Sequence, residues 1–278
     1  MVRSASSTHN SNITDVRYRA LRTIVVFVST ERLRRIAEVT RDAGEMSVAD
    51  LAVLTGASEM TIRRDLEVLA AQGVLERYRG GARSLLLRGE EPPYALRATE
   101  GVEAKQRIAA EVASLLADGE SVVLDSGTTC VAVAGAVRDR RLTVVPLSLH
   151  AANALVGAPS LTLLIPGGAP RPGELALTGP LTEASLASLR FDTAVIGCCG
   201  LTAAHGVTGH DLADAAVKRA AMRSASRVIA VADASKFART ALAVVTPVSE
   251  LDVVVTDTGA PAAEVGALET AGVVVRQV

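Results

Sequence analysis

Asp125-Ser126-Gly127-Thr128-Thr129 places a carboxylate, three hydroxyls and a glycine in consecutive positions. An apolar run from Ser121 to Leu124 precedes it and a helical stretch follows, so it reads as a strand-to-helix turn. Small residues let backbone N–H groups approach a ligand, and a helix N-terminus adds partial positive charge. That chemistry suits an anion, phosphate above all. The carboxyl end of a strand is also where open α/β sheets bind ligands. A capped turn with no ligand would use the same residues, and the motif alone leaves both readings open.

Other turns stand at analogous places. Pro166-Gly167-Gly168 follows the run ending at Ile165, and Gly197-Cys198-Cys199-Gly200 follows the one ending at Ile196. The chain has 26 Arg and only 3 Lys: Lys105, Lys218 and Lys236. A chain so biased is expected to keep ammonium groups for places that need a compact point charge. Lys218 lies on a helix after Gly206-Val207-Thr208. Lys236 lies in Asp233-Ala234-Ser235-Lys236-Phe237, just past the run Val228 to Ala232. The expected ligand set is Asp125, Ser126, Gly127, Thr128, Thr129, Gly167, Gly168, Gly200, Lys218 and Lys236. The competing idea is local ion pairing, Lys218 with Asp214 and Lys236 with Asp233.

A second constellation lies near the start. Ser58 can cap a helix that buries Ile62, Leu66 and Leu69 at i, i+4 and i+7. Glu59, Met60, Thr61, Arg63 and Arg64 then face outward. Arg can bond guanine O6 and N7 together, and a Thr methyl or hydroxyl can contact bases or phosphate. Upstream, Ser47 can cap a helix with Val48, Leu51 and Leu54 inward, and Thr55-Gly56-Ala57 makes a tight turn. Downstream, Val74 to Ala82 reads as strand, glycine turn and strand. Arg77, Arg79, Gly80 and Gly81 would form a wing along phosphates. The expected DNA contacts are Ser47, Ser58, Thr61, Arg63, Arg64, Arg77, Arg79, Gly80 and Gly81.

The elements that must position these groups divide the chain. Residues 1–29 read as a tail, with some local structure possible in Tyr18 to Val28. Residues 30–83 form three helices and a hairpin, a winged helix-turn-helix, the first helix ending at Gly44. Residues 84–104 form a linker stiffened by Pro92-Pro93. Residues 105–278 alternate helix and strand. A helix spans roughly Ala104 to Leu116, and apolar runs cover Val122–Leu124, Leu142–Leu147, Leu161–Ile165, Thr193–Ile196, Val228–Ala232, Leu242–Val245, Val253–Thr256 and Val273–Val275. Apolar strands with helices between most of them predict a mainly parallel sheet covered on both faces.

Composition narrows the class. The chain is 49% hydrophobic and 21% charged, ordinary for a globular protein of 278 residues. No apolar run nears the ~20 residues that span a bilayer. Three cysteines, two of them adjacent, point to a reduced, cytoplasmic protein. The net charge of -1 conceals a balance of +3 over residues 1–90 and -4 over the rest. A basic head suits an anionic partner.

Two groups of motifs resemble the DeoR family of bacterial transcriptional regulators. The head carries Ser58-Glu59-Met60-Thr61-Ile62-Arg63-Arg64-Asp65-Leu66, then Gly73-Val74-Leu75-Glu76-Arg77 and Gly80-Gly81-Ala82. The body carries Lys105 with Ile108-Ala109, Asp125 to Thr129, Pro166-Gly167-Gly168, Phe191-Asp192, Gly206-Val207-Thr208, Val217-Lys218-Arg219-Ala220 with Met222, and Asp233 to Phe237. Arg79 stands where the family usually has His. Pro146-Leu147-Ser148 stands where it usually has Thr-Asn-Ser. The resemblance implies a sensor domain similar in fold to ribose-5-phosphate isomerase and CoA transferases, binding a phosphorylated sugar or polyol that changes operator affinity.

Other chemistries rank lower. No basic residue neighbours Cys198-Cys199 in its glycine loop to activate a thiol. His205 and His210 match no metal-site spacing, and no metal or other cofactor is expected. Asp211 and Asp214 fit a helix cap and a pair with Lys218 better than acid–base work. A sugar-phosphate isomerase-like enzyme with an accessory DNA-binding domain is the alternative, but a winged helix has no part in isomerisation. The expectation is therefore a non-enzymatic, cytoplasmic regulator. It would repress a sugar or polyol catabolic operon, bind double-stranded operator DNA as a homo-oligomer (dimer or tetramer), and be released by a phosphorylated metabolite.

Overall fold

A computed structural model describes residues 32–71, 73–85 and 91–278. The expectations for residues 1–29 lie outside these. The chain forms two units, Met1–Arg88 and Gly89–Val278.

In the first unit, helix α1 runs through residues 32–43. It is followed by β1 (Glu45–Ser47), α2 (Val48–Thr55), α3 (Glu59–Ala71), β2 (Leu75–Tyr78) and β3 (Gly81–Ser84). Ile36, Leu51, Ile62, Leu66 and Leu69 are fully buried, so the helical periodicity read for α3 gives its inward face. The strands form an antiparallel sheet in the order β1-β3-β2. β1 was not expected, because three residues are too short to show alternation. Ser47 ends β1 and caps α2, its Oγ accepting from the Asp50 N–H at 3.0 Å.

The second unit opens with α4 (Tyr94–Arg97) and α5 (Val102–Leu115). Next come β4 (Ser121–Leu124), α6 (Thr128–Ala136), β5 (Thr143–Pro146), α7 (Leu149–Leu155) and β6 (Thr162–Leu163). A small hairpin, β7 (Ala169–Pro170) and β8 (Leu177–Thr178), leads to α8 (Pro180–Ala187) and β9 (Phe191–Gly197). Then β10 (Gly200–Thr202), β11 (Gly206–Gly209), α9 (Leu212–Arg223), β12 (Ala225–Val231), β13 (Ala243–Thr246), β14 (Val253–Thr256), α10 (Ala262–Thr270) and β15 (Val274–Gln277) complete the chain.

The main sheet has seven parallel strands in the order β15-β14-β12-β9-β4-β5-β6. Its two faces bury alternate residues. Val123, Val145, Ala194, Ile196 and Ala230 pack under α8, α9 and α10. Val122, Leu124, Val144, Val195 and Ile229 pack under α5, α6 and α7. The expected mainly parallel, doubly covered sheet is what forms.

One apolar run behaves differently from its neighbours. Leu242–Val245 supplies β13, which joins β10 and β11 in a separate antiparallel sheet. Residues 232–242, which include the 3-10 turn Ala234–Lys236, connect β12 to β13.

Candidate anion-binding cleft and nucleic-acid interface

The sheet order reverses at one place. From β4 the chain builds outward through β5 and β6, then restarts beside β4 with β9 and continues through β12, β14 and β15. Such a switch point opens a crevice at the carboxyl ends of the two central strands, where sheets of this kind bind ligands. Asp125 follows β4 there, and Gly197 ends β9.

The two strand ends are tied together. The Asp125 N–H donates to the Val195 carbonyl at 2.9 Å, and the Gly197 N–H donates to Asp125 Oδ2 at 2.8 Å. A Cβ on Gly197 would lie 3.1 Å from the Ser126 carbonyl, so glycine permits this approach. Lys218, from α9, donates to the same Asp125 oxygen and lies 3.4 Å from Asp214 Oδ2. Asp125 is 1% exposed and Lys218 4%. Burial disfavours the Lys218 ammonium, but the two carboxylates outweigh it and hold its pKa well above the ordinary value. Lys218 therefore makes the pairing expected with Asp214, and a stronger one with Asp125. Asp211 caps α9, accepting from the Asp214 N–H at 2.8 Å.

Above this pair, Ser126, Gly127, Thr128 and Thr129 line a cleft shared with Lys218 and Lys236. Gly127 is the N-cap of α6 with φ +94°, a conformation that favours glycine. The first turn of a helix has N–H groups with no acceptor of its own. Ser126 Oγ bonds Asp214 Oδ1 at 3.3 Å. Lys236 makes no ion pair with Asp233 among the described residues; Asp233 Oδ1 accepts instead from the Ser235 N–H at 3.0 Å and from its hydroxyl. The expected residues Asp125, Gly167, Gly168 and Gly200 do not line this cleft; Asp125 is buried beneath it. Gly168 is pressed against Thr182, and Gly200 against the Arg239 backbone, where any side chain would collide.

The cleft also contains charged residues that the sequence reading did not single out: Glu91, Arg97, Arg171 and Glu174. Arg97 Nη2 bonds Glu174 and lies 3.1 Å from Glu91 Oε1. Burial acts against the Arg97 charge, but Glu91 and Glu174 hold its pKa above the usual value. With 26 Arg in the chain, neither Arg97 nor Arg171 stands out by type. Lys105 serves a different end. Its Nζ donates to the Arg97 and Glu100 carbonyls at 2.5 and 2.6 Å, pinning α4 to α5. Burial pushes its pKa down to about 8, with Lys236 adding to the effect and Asp233 opposing it.

The thiols of Cys198 and Cys199 are pushed up to about 12 by burial, so neither is a poised nucleophile. Among the described residues no group of three or more His, Cys, Asp or Glu could hold a metal ion. Among them too, no helix is long and apolar enough to cross a membrane.

In the first unit, Ser58 Oγ accepts from the Thr61 N–H at 3.3 Å and starts α3. Arg63 and Arg64 are exposed, Arg63 pairing along the helix with Glu59 at 2.7 Å. Arg77 pairs with Glu67 at 2.8 Å, and Arg79 and Gly80 form the exposed tip between β2 and β3. A Cβ on Gly81 would meet the Met46 carbonyl at 2.5 Å, so Gly81 serves strand packing. Asp65 faces the other way from these exposed residues. It is buried on α3 and accepts from Arg32 Nε of α1 at 2.5 Å. That bond orients the outward face of α3.

Comparison with known proteins bears on both units. The DeoR-like helix-turn-helix domain matches residues 32–86, and the DeoR C terminal sensor domain matches residues 100–258. The HTH-type transcriptional regulator GlpR of Haloferax volcanii is 33% identical over 88% of this chain and 96% of its own. Transcriptional repressor AccR of Agrobacterium fabrum is 33% identical over 84% of this chain and 92% of its own. The glycerol-3-phosphate regulon repressor of Escherichia coli K12 is 31% identical over 84% and 92%. Among solved structures, ribose 5-phosphate isomerase A from Methanocaldococcus jannaschii aligns with TM-score 0.38 and 14% identity, over 50% of this chain and 55% of that one. The chain thus spans about half the length of that structure.

Proposed function

This chain belongs to the DeoR family of DNA-binding transcriptional regulators, and from that premise we propose that it represses a sugar or polyol catabolic operon and releases its operator when a phosphorylated sugar or polyol binds the cleft at the β4–β9 switch point. The observation that carries the proposal is the meeting of the Ser126–Thr129 turn, at the N-terminus of α6, with Lys236 and the buried Lys218. Backbone N–H groups and hydroxyls would hold the phosphate, Lys236 would contact it directly, and Lys218 would contribute its charge from below. The named relatives that act on a glycerol-3-phosphate regulon favour an effector of this chemical class.

DNA recognition falls to Thr61, Arg63 and Arg64 on α3. Ser47, Ser58, Arg77, Arg79, Gly80 and Gly81 are assigned to backbone contacts. The regulator acts as a homo-oligomer, so that two α3 helices read two half-sites. Effector and operator are coupled because the effector favours one arrangement of the heads over another.

An isomerase reading gains no support from the cleft. The Lys218 ammonium is clamped by Asp125 and Asp214 and keeps its proton at neutral pH, so Lys218 is not a free amine for base or Schiff-base chemistry.

The test is a thermal-unfolding screen of the full chain with phosphorylated triose to hexose sugars and polyols, each beside its unphosphorylated parent. A ligand at a hundredfold excess over its Kd stabilises the protein by about 2.7 kcal/mol. A shift with a phosphorylated compound alone, recovered unchanged, is the expected result. Turnover of the compound, or shifts with the parents as large, would overturn the proposal.

A further inference from the structure

This inference rests on the cleft reading above and adds a second ligand contact to it. Glu91 and Glu174 both face Arg97, but they are not equivalent. Glu174 bonds Arg97 where both side chains are below 10% exposure. Glu91 bridges two guanidinium groups, with Oε1 3.1 Å from Arg97 Nη2 and Oε2 3.4 Å from Arg171 Nη2. The contact to Arg171 is long, and the buried Arg171 Nε has no acceptor. A carboxylate or phosphate that fits an arginine takes two of its N–H groups side by side. Glu91 engages only one. It is held back by its own chain: Pro92 follows it, and the Pro92 carbonyl accepts from Arg97 Nε at 2.8 Å. Arg171 thus keeps a buried, unpaired Nε–H beside the Nη2 that Glu91 covers, and an anion that takes Glu91's place can use both.

We propose that Arg97 and Arg171 form a second anion subsite of the cleft, that Glu91 fills it as an internal ligand, and that an anionic group of the effector takes Arg171 by displacing Glu91. The effector then carries two anionic groups, as a phosphorylated acid or a bisphosphate does. One meets the α6 turn and the other meets Arg171. Glu91 stands just beyond Arg88, where the first unit ends. The exchange therefore gives the effector a hold on the stretch through which the chain enters the sensor unit.

Inorganic phosphate, titrated at constant ionic strength against a chloride control, tests the subsite through its effect on thermal unfolding of the full chain. Thr128→Glu disables the α6 turn toward phosphate while suiting the helix N-terminus. In that background the wild-type Glu91 chain shows no phosphate-dependent stabilisation. Adding Glu91→Gln creates a saturable one that the chloride control lacks. Adding Arg171→Gln as well removes it. If Glu91→Gln brings no gain, or the gain survives Arg171→Gln, the subsite does not exist, because simple removal of negative charge would act without Arg171. The α6 reading fails separately, by an undiminished phosphate response in Thr128→Glu alone.

Discussion

Lys218 and the Gly197 N–H converge on one oxygen of Asp125, the N–H at 2.8 Å. Helix α9 and the ends of the two central strands are thus fastened at a single buried carboxylate beneath the cleft. Lys218→Met leaves that carboxylate without its cation. Loss of one partner of a buried pair costs roughly 3–5 kcal/mol, so urea denaturation should show a drop of that size. Lys218→Met combined with Asp125→Asn should recover part of it. A single Lys218→Met variant as stable as wild type would contradict the fastening role.

Arg63 and Arg64 differ in what they give up on meeting DNA. Arg63 must leave Glu59, an exposed pair of about 0–1 kcal/mol. Either substitution by Ala should weaken binding to a duplex selected from a random library by ~1–3 kcal/mol. Anisotropy at fixed salt measures it. Wild-type affinity in both variants would remove α3 as the reading helix.

Asp65 acts on the interface without touching it. Arg32→Ala should destabilise the first unit by about 1.5–3 kcal/mol, the usual worth of a hydrogen bond to a charged group. Asp65→Asn, which keeps the shape, should cost less. Both should weaken duplex binding more than their fold loss predicts, because α1 no longer sets the pitch of α3. Unchanged unfolding curves would count against the contact.

Lys105 predicts a pH dependence of known sign. Its folded pKa, about 8, lies below the ordinary 10.5. Between those values the unfolded chain binds more protons than the folded one, so this group's contribution to stability rises with pH. It is fully present above the ordinary value and lost as pH falls through about 8. The neutral amine still has two N–H donors for the Arg97 and Glu100 carbonyls. The stability gap between wild type and Lys105→Gln should therefore widen from pH 8 to pH 10. A gap that narrows would refute the assignment.

What was legible in the sequence followed from local rules. Ile62, Leu66 and Leu69 gave the buried face of α3, and the Ser121–Thr129 strand, glycine and hydroxyl order gave the turn at the switch point. Lys218 stood out because lysine is rare here, yet its partner Asp125 lies 93 residues away and no spacing reports such a contact. The β13 run looked like the other strands; it pairs antiparallel with β11, a strand from before α9, and that distant partner is not written in its own residues. Gly168 and Gly200 sit where glycine is required by neighbouring atoms, which a sequence cannot separate from glycine required by a ligand. Glu91, Arg97, Arg171 and Glu174 come from distant segments and are of common types, so only the fold assembles them.

The most direct test of the account is the duplex affinity of wild type and Thr128→Glu, measured by anisotropy as the phosphorylated compound found in the thermal screen is added. The account predicts equal affinities without the compound. With it, wild type should weaken by about tenfold or more, a coupling of at least ~1.4 kcal/mol, while Thr128→Glu stays unchanged. A Thr128→Glu protein that releases the duplex at the same compound concentration as wild type would contradict the assignment of the effector's phosphate to the α6 turn.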